Sequence, residues 1–427
     1  MSMTRRTFAR LAAGAVAAAA PGLAPSRLRV EAQEKITLKY LSVARGEPRR
    51  QAILQVVDKF EKANPNVKVE LSETPFDQYF QKVSVALAAG SGIDAFDVDS
   101  PLVAHYAHQD VLLALDEYVD KKDWEDFLEQ DRQIATYGGK ILTLPWSSSS
   151  QAVFYNLDMV KQAGITPPST PDKRWTWAQL LEAAKKLTRK APDGSTQVYG
   201  FVVEQVDRPY QILPLLQSNG AQAISPDGTK TSGFLNSPEA VEALQFYGDL
   251  YNKHAVAPKK PIPDAFGRGQ AALFLANSPH VNQIRRLFPQ TPWALTPHPF
   301  FKKPVTPTGA WHVGVFRKTR HPKEAAALAL AYSNANQAKD NFKIMNYTPV
   351  RKSTFEAFPD EFKQPPNSLF YHEITHTAIR RPATPAWREY EDLLRTAIRN
   401  VIDGADAKKE LDTAVARIDA VLARYRK

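Results

Sequence analysis

The first part of the chain alternates between strand-like and helix-like spacing of its apolar residues. Apolar and polar side chains alternate along residues 36–41 and again along residues 67–71, which is the period-two pattern of half-buried strands. Between them, the apolar residues of segment 50–64 recur every three to four positions and predict a helix that ends before Pro65. This order of strand, helix and strand predicts an α/β fold with a parallel sheet covered by helices.

Later segments carry further patterns of both kinds. Residues 198–203 predict a buried strand, and residues 387–401 and 411–422 each predict an amphipathic helix. Thr176 and Gln179 form a capping box at the start of another helix. Because about 395 residues follow the N-terminal segment, more than one hydrophobic core usually supports, we expect two lobes.

The N-terminus has the pattern of an export signal. Paired arginines, Arg5 and Arg6, precede Phe8 and an apolar run of about ten residues, which is half of what a membrane-spanning helix needs. This is the twin-arginine pattern. We therefore expect residues 1–32 to be a signal peptide cleaved before Gln33, and the mature protein to be soluble and periplasmic.

Composition removes several classes of function. The chain has no cysteine, which excludes disulfides, thiol catalysis and a lipid anchor on an N-terminal cysteine. Residues 1–32 account for +4 of the formal charge of +10, and the remaining basic residues are scattered rather than clustered, so we expect no nucleic-acid partner. Dinucleotide and ATP motifs are absent from the sequence, and we expect no cofactor.

Several sequence blocks, in order, resemble a known family. The blocks are Phe60 to Val69, Ala86 to Gly92, Leu144-Pro145-Trp146, Tyr155-Asn156, Phe266 to Leu273, Gly309 to Val315 and Thr348 to Ser353. Together they resemble the extracellular solute-binding proteins of sugar-importing ABC transporters, of the maltose-binding type. The likeness runs from about Ile36 to the C-terminus.

The resemblance implies a two-lobed periplasmic binding protein fold with a ligand cleft between the lobes and hinge crossings. Lobe I would comprise residues 33–146 and 292–335, and lobe II residues 147–291 and 336–427. The protein would be a non-catalytic, monomeric subunit that captures a carbohydrate, meaning a sugar, sugar acid or polyol, by lobe closure. Its protein partners would be the membrane permease subunits of the transporter.

Candidate ligand contacts follow first from strand ends, because open α/β sheets bind ligands outside the carboxyl ends of their strands. Arg45 and Glu47 follow the first predicted strand, Asp99 and Ser100 follow the third, and Trp146 lies at the first predicted hinge. The competing interpretations are that Asp99 only caps a helix, that Glu47 is a solvated charge and that a tryptophan is more often a core residue.

Further candidates lie in the second lobe, at the first predicted hinge and at positions where the family has cleft residues. These candidates are Ser149, Tyr210, Asn277, Ser278, Trp311, His312, Arg351 and Trp387. The chain departs from the family pattern after Ser278, where Pro279 and His280 stand in place of a frequent tryptophan. Basic residues near the predicted cleft, including Arg45, Arg208 and Arg351, leave room for an anionic ligand.

One motif supports an alternative function. His372-Glu373-Ile374-Thr375-His376 matches the H-E-x-x-H pattern of zinc peptidases, in which two histidines on one helix face bind zinc and the glutamate activates water. No downstream residue is an obvious third ligand, since Pro382 stands where the longer form of the motif needs a histidine, and Glu389 and Glu391 lie closer than in the usual arrangement. A pair of solvated histidines is the competing interpretation.

Overall fold

The computed structural model describes residues 35–425, without the side chain of Ala310. The predicted signal peptide, residues 1–32, lies outside the described residues. Within residues 35–425, no helix combines the length and the apolar character needed to cross a bilayer.

Fourteen strands form within the described residues. In chain order they are β1 (Ile36–Ala44), β2 (Val67–Pro75), β3 (Ala95–Asp99), β4 (Thr136–Tyr137), β5 (Lys140–Ile141), β6 (Thr143–Ser149), β7 (Gln151–Asn156), β8 (Arg189–Lys190), β9 (Thr196–Val203), β10 (Ala271–Asn277), β11 (Trp293–Thr296), β12 (Thr306–Pro307), β13 (Gly309–Val315) and β14 (Ala378–Ile379).

Sixteen α-helices accompany them in the same part of the chain. They are α1 (Glu47–Ala63), α2 (Phe76–Ala89), α3 (Val103–His108), α4 (Lys121–Asp126), α5 (Glu129–Ala135), α6 (Leu157–Gln162), α7 (Trp177–Leu187), α8 (Pro209–Ser218), α9 (Pro238–Asn252), α10 (His280–Leu287), α11 (Pro322–Ser333), α12 (Ala335–Met345), α13 (Lys352–Ala357), α14 (Asn367–His372), α15 (Trp387–Asp403) and α16 (Ala407–Ala423).

Two five-stranded sheets organise these elements. The first has the order β2-β1-β3-β13-β6, in which β1, β2 and β3 run parallel while β13 runs antiparallel to both of its neighbours. The second has the order β11-β7-β10-β9-β8, with β9 and β10 parallel. Helices pack on each sheet, α1 and α11 on the first and α7 on the second. The α/β prediction is confirmed, and each sheet with its helices forms one lobe.

Within residues 35–425, the chain crosses between the lobes three times. β6 ends at Ser149 in the first sheet and β7 begins at Gln151 in the second, close to the predicted first hinge. The second crossing follows β11, which pairs with β7, and therefore lies after Thr296 rather than at residue 292. The third lies between α13 and α14, because α12 and α13 stay with the first lobe while α14 contacts β7.

The predicted assignment of residues 336–427 to lobe II therefore differs from the structure. α12 buries Ala338, Phe342 and Met345 and contacts α1 and β6, so it extends the cover of the first sheet. An amphipathic pattern shows that a helix has a buried face, but it does not show which of two sheets that face covers. α15 and α16 pack on each other and on α9, a helix of the chain segment between β9 and β10.

α7 begins where the capping box predicts. Thr176 Oγ1 accepts a hydrogen bond from the Gln179 N–H, and the Gln179 side chain accepts one from the Thr176 N–H at 2.8 Å. The helix then buries Leu180, Ala184 and Leu187 against the second sheet. Gly200 on β9 allows this close approach, since a Cβ built there would lie 1.9 Å from the carbonyl oxygen of Ala184.

We expect Gly200→Ala to destabilise the protein, because α7 and β9 must separate to admit the methyl group. Overpacking of this kind costs about 1–3 kcal/mol of the free energy of unfolding. Urea denaturation followed by circular dichroism measures it. Gln197→Ala, at an exposed position of the same strand, is the control and should change the free energy by less than about 0.5 kcal/mol. Equal stability of the two variants would contradict the prediction.

Candidate functional site

A cavity of about 350 Å³ lies between the two lobes. The carboxyl ends of the parallel strands meet there, as expected for open α/β sheets. Its lining residues come from both lobes: Ala44, Arg45, Phe76, Asp99, Ser149, Glu204, Gln205, Arg208, Tyr210, Asn277, Pro279, His280, Gln283, Gly309, Trp311, Tyr347 and Arg381. Six of the sequence candidates are among them: Arg45, Asp99, Ser149, Tyr210, Asn277 and Trp311.

Three further candidates lie near the cavity without lining it. Glu47 is exposed in the first turn of α1. Ser100 is buried beside Asp99, where its hydroxyl lies 3.5 Å from Arg381 Nη2. Ser278 is buried in the hinge region, and its N–H donates to the Ser150 carbonyl at 3.2 Å.

The two other candidate tryptophans are core residues. Trp146 is 2% exposed, and the Arg49 guanidinium lies 4.0 Å from the centre of its ring. Trp387 is fully buried and stacks on Tyr390 at 5.1 Å between ring centroids. Both side chains therefore stabilise a lobe, and Trp387 reaches the cavity only indirectly, through Arg381, which lies 5.8 Å above its ring.

The last two candidates, His312 and Arg351, are also buried away from the cavity. Successive side chains of a strand point to opposite faces, so His312 lies on the face opposite to its neighbour Trp311. Its Nδ1 lies 2.7 Å from Thr143 Oγ1, and burial lowers the pKa of His312 to about 3, which keeps the ring neutral. Arg351 forms ion pairs with Asp123 at 2.9 Å and Asp126 at 3.0 Å.

One wall of the cavity is aromatic. Trp311 from β13 and Phe76 from the start of α2 meet at nearly right angles, with 6.4 Å between ring centroids. The Arg45 guanidinium lies 4.5 Å from the Phe76 centroid and 5.0 Å from that of Trp311. Arg208 from lobe II lies 4.7 Å from the same Phe76 ring, so the two lobes contact each other across the cavity.

An ion pair forms a second wall. Arg381 donates two hydrogen bonds to Asp99, at 2.6 Å and 3.1 Å, and both side chains are more than nine-tenths buried. Burial alone would raise the pKa of Asp99, but the charge and hydrogen bonds of Arg381 outweigh it and the pKa is lowered. Asp99 is therefore an anion that holds Arg381 in place at the edge of the cavity.

The opposite wall is a hydrogen-bonded polar cluster. The Tyr210 hydroxyl donates to Asn277 Oδ1 at 2.8 Å and lies 2.9 Å from Ser149 Oγ, which joins lobe II to the end of β6. Asn277 Nδ2 in turn donates to Glu204 Oε2 at 2.7 Å. Gln211 also donates to Glu204, at 3.2 Å. The cavity thus combines aromatic surface with fixed polar and charged groups, the lining typical of a small-molecule site.

The H-E-x-x-H motif does not form a zinc site in this structure. Glu373 is fully buried and pairs with Arg174 at 3.0 Å, and it also accepts from Thr306 at 2.8 Å, so it points away from the histidines. Residues 373–377 form a π-helical turn, and the His372 and His376 rings stack at 4.4 Å near the surface. Across residues 35–425, no group of three or more potential ligands could hold a metal ion. Glu373 instead links Arg174 to Thr306, in the segment that follows β11.

Two α/β lobes around a cleft lined by aromatic and polar groups define a binding protein. Residues 46–338 match the family described as bacterial extracellular solute-binding protein, and the chain belongs to that family.

Relatives and solved structures agree with this fold. The arabinooligosaccharide-binding protein of Bacillus subtilis (strain 168) is 26% identical over 214 residues, or 49% of this chain and 46% of that protein. An ABC substrate-binding protein of Listeria monocytogenes, solved with cycloalternan, superimposes with a TM-score of 0.79 at 24% identity, over 91% of this chain and all of that one. An ABC transporter solute-binding protein of Thermotoga lettingae TMO, solved with α-D-tagatose, gives 0.80 at 21% identity over 91% of this chain and all of that one.

Proposed function

We propose that the protein is the solute-binding subunit of an ABC importer and captures a carbohydrate by closing its lobes. The observation that carries this proposal is the cleft itself, where Trp311 and Phe76 from one lobe face Tyr210 and Asn277 from the other. Sugars present apolar C–H faces and many hydroxyls, which suit aromatic rings beside fixed hydrogen-bonding groups. The relatives named above for arabinooligosaccharides, cycloalternan and tagatose support this ligand class.

In this proposal the protein has no catalytic activity of its own. Ligand shifts the balance between open and closed lobes by the difference in its affinity for the two states. The closed form is then recognised by membrane permease subunits, and ATP is hydrolysed elsewhere. The twin-arginine pattern at Arg5 and Arg6 supports export to the periplasm, where in this proposal the protein acts as a soluble monomer without a lipid anchor.

A thermal-shift screen followed by calorimetry tests the proposal. We expect at least one neutral sugar, sugar acid or polyol to raise the melting temperature in a concentration-dependent manner, because a ligand that binds only the folded state stabilises it. Trp311→Ala should lower the affinity for that ligand by about tenfold or more, because the ligand loses the aromatic ring on which a sugar face would stack. Trp124→Ala, on α4 and outside the cavity lining, is the control and should bind normally.

The proposal fails if no carbohydrate stabilises the protein while a peptide or a metal ion does. It also fails if Trp311→Ala and Trp124→Ala bind the carbohydrate equally well, because the ligand would then occupy another surface.

A further inference from the structure

Arg45 is a cleft guanidinium without an anionic partner among the described residues. Arg208 pairs with Glu391 at 2.7 Å, and Arg381 pairs with Asp99 at 2.6 Å. Phe76 and Trp311 lie against Arg45, which forms no ion pair within residues 35–425 and whose buried Nε has no hydrogen-bond partner there. Arg45 lines the cavity, and since Phe76 and Trp311 are nearly perpendicular, at most one of the two rings stacks on the guanidinium plane, which leaves the N–H groups at the edge of that plane for a ligand.

The surroundings of Arg45 disfavour its positive charge. Burial, and then the positive charge of Arg208, lower the pKa of Arg45, while Glu204 acts in the opposite direction. Glu204 belongs to the other lobe, forms no ion pair with Arg45, and is engaged by Asn277 and Gln211. A charge that is partly withdrawn from water without an anionic partner is costly, and Arg208 from lobe II brings a like charge to the same Phe76 ring.

We infer that the ligand brings the missing anion, and that the substrate class is a carbohydrate acid whose carboxylate is received by Arg45. This inference rests on the proposed function and adds the charge of the ligand. A guanidinium offers two parallel N–H donors that match a planar carboxylate. Glu204 lines the same cavity and would repel a doubly charged sugar phosphate more than a singly charged acid, which favours a uronic or aldonic acid. The sugar ring would then extend toward Tyr210 and Asn277.

Calorimetry with paired ligands tests the inference. The probes are galacturonate and glucuronate, short oligomers of galacturonate, the methyl esters of these acids, the neutral parent sugars and the corresponding sugar phosphates. We expect an acid to bind on the order of 10- to 100-fold more tightly than its ester or neutral parent, as a charge-assisted hydrogen-bond pair is lost. Its affinity should also fall as salt concentration rises.

Variants separate a ligand contact from a structural role. Arg45→Gln should remove most of the preference for the acid over its ester, and Arg45→Lys should retain part of it. Arg50→Gln is the matched control, since Arg50 lies on the exposed side of α1 and pairs with Glu73 at 2.8 Å. If Arg45→Gln proves unstable, the comparison of acid with ester in the unmodified protein still decides the question.

The outcomes distinguish the inference from the proposed function. Tight binding of a neutral sugar, with no preference for its acid, overturns the inference and leaves the proposed function intact. Tighter binding of a sugar phosphate than of the acid also overturns it. Binding of no carbohydrate in any of these classes overturns both.

Discussion

Arg49→Met is expected to destabilise the protein by about 3–5 kcal/mol, because it leaves a buried carboxylate without its cation. Arg49 and Asp97 are almost fully buried in lobe I, with 2.6 Å between Nη2 and Oδ2. The Asp97 carboxylate also accepts hydrogen bonds from Tyr40, Ser42 and the backbone of Val43, at 2.7 to 2.9 Å. These neutral donors cannot replace a positive charge in a low dielectric. Urea denaturation at constant pH measures the loss.

A double-mutant cycle shows whether Arg49→Met loses stability because Asp97 is left unpaired or because the packing around Arg49 changes. Asp97→Asn in the Arg49→Met background removes the unpaired charge and should restore a part of the lost stability. Arg50→Gln, one residue further along α1 but with an exposed ion pair, is the control and should cost less than about 0.5 kcal/mol. A loss below 1 kcal/mol for Arg49→Met would show that the ion pair contributes little to the lobe.

Local sequence patterns predict most of the fold because its elements depend on local chemistry. The predicted alternation appears in the burial of the first residues of β1 and β2, and the parallel pairing of Ile36 with Val67 follows from the connecting helix. The lobe assignment of α12 is different, because it depends on which sheet lies nearest in space. Such a choice between two similar apolar surfaces leaves no local trace in the sequence.

The rule that ligands bind beyond the carboxyl ends of strands locates more cavity residues than the sequence analysis chose with it. Arg45 follows β1 and Asp99 ends β3, and both line the cavity. The same rule, applied to β2 and β9, also points to Phe76 and Glu204, which the sequence analysis did not select. Arg381 has no such signal, since it reaches Asp99 from 282 residues further along the chain.

Adjacent residues show where the resemblance misleads. Trp311 and His312 were both carried over from the family, yet neighbours in a strand face opposite ways and only Trp311 lines the cavity. Alternation alone could have selected one of the two, although not which one. Trp146 illustrates the same limit, since a hinge position does not specify whether the side chain turns toward the cleft or, as observed, toward Arg49 in the core.

The second large effect concerns Asp131 on α5, which is fully buried and whose two carboxylate oxygens have no hydrogen-bond partner in residues 35–425. Burial raises the pKa of Asp131 to about 8. Since an unfolded aspartate has a pKa of about 3.9, the folded state holds one more proton than the unfolded state between about pH 4 and pH 8. Stability from this group is therefore fully present below pH 4 and is lost as the pH rises through 8.

Asp131→Asn should remove this pH dependence. The slope is about 1.4 kcal/mol per pH unit, so the variant should gain up to about 5 kcal/mol over the unmodified protein between pH 4 and pH 8, and the difference should level off above pH 8. Free energies of unfolding measured at several pH values for both proteins give that difference directly, because the other titrating groups cancel. Glu129→Gln, on the exposed side of the same helix, should differ from the unmodified protein by less than about 0.5 kcal/mol throughout. A constant difference for Asp131→Asn across this range would mean that Asp131 ionises normally in the folded protein, and hence that water or a rearranged partner reaches its carboxylate.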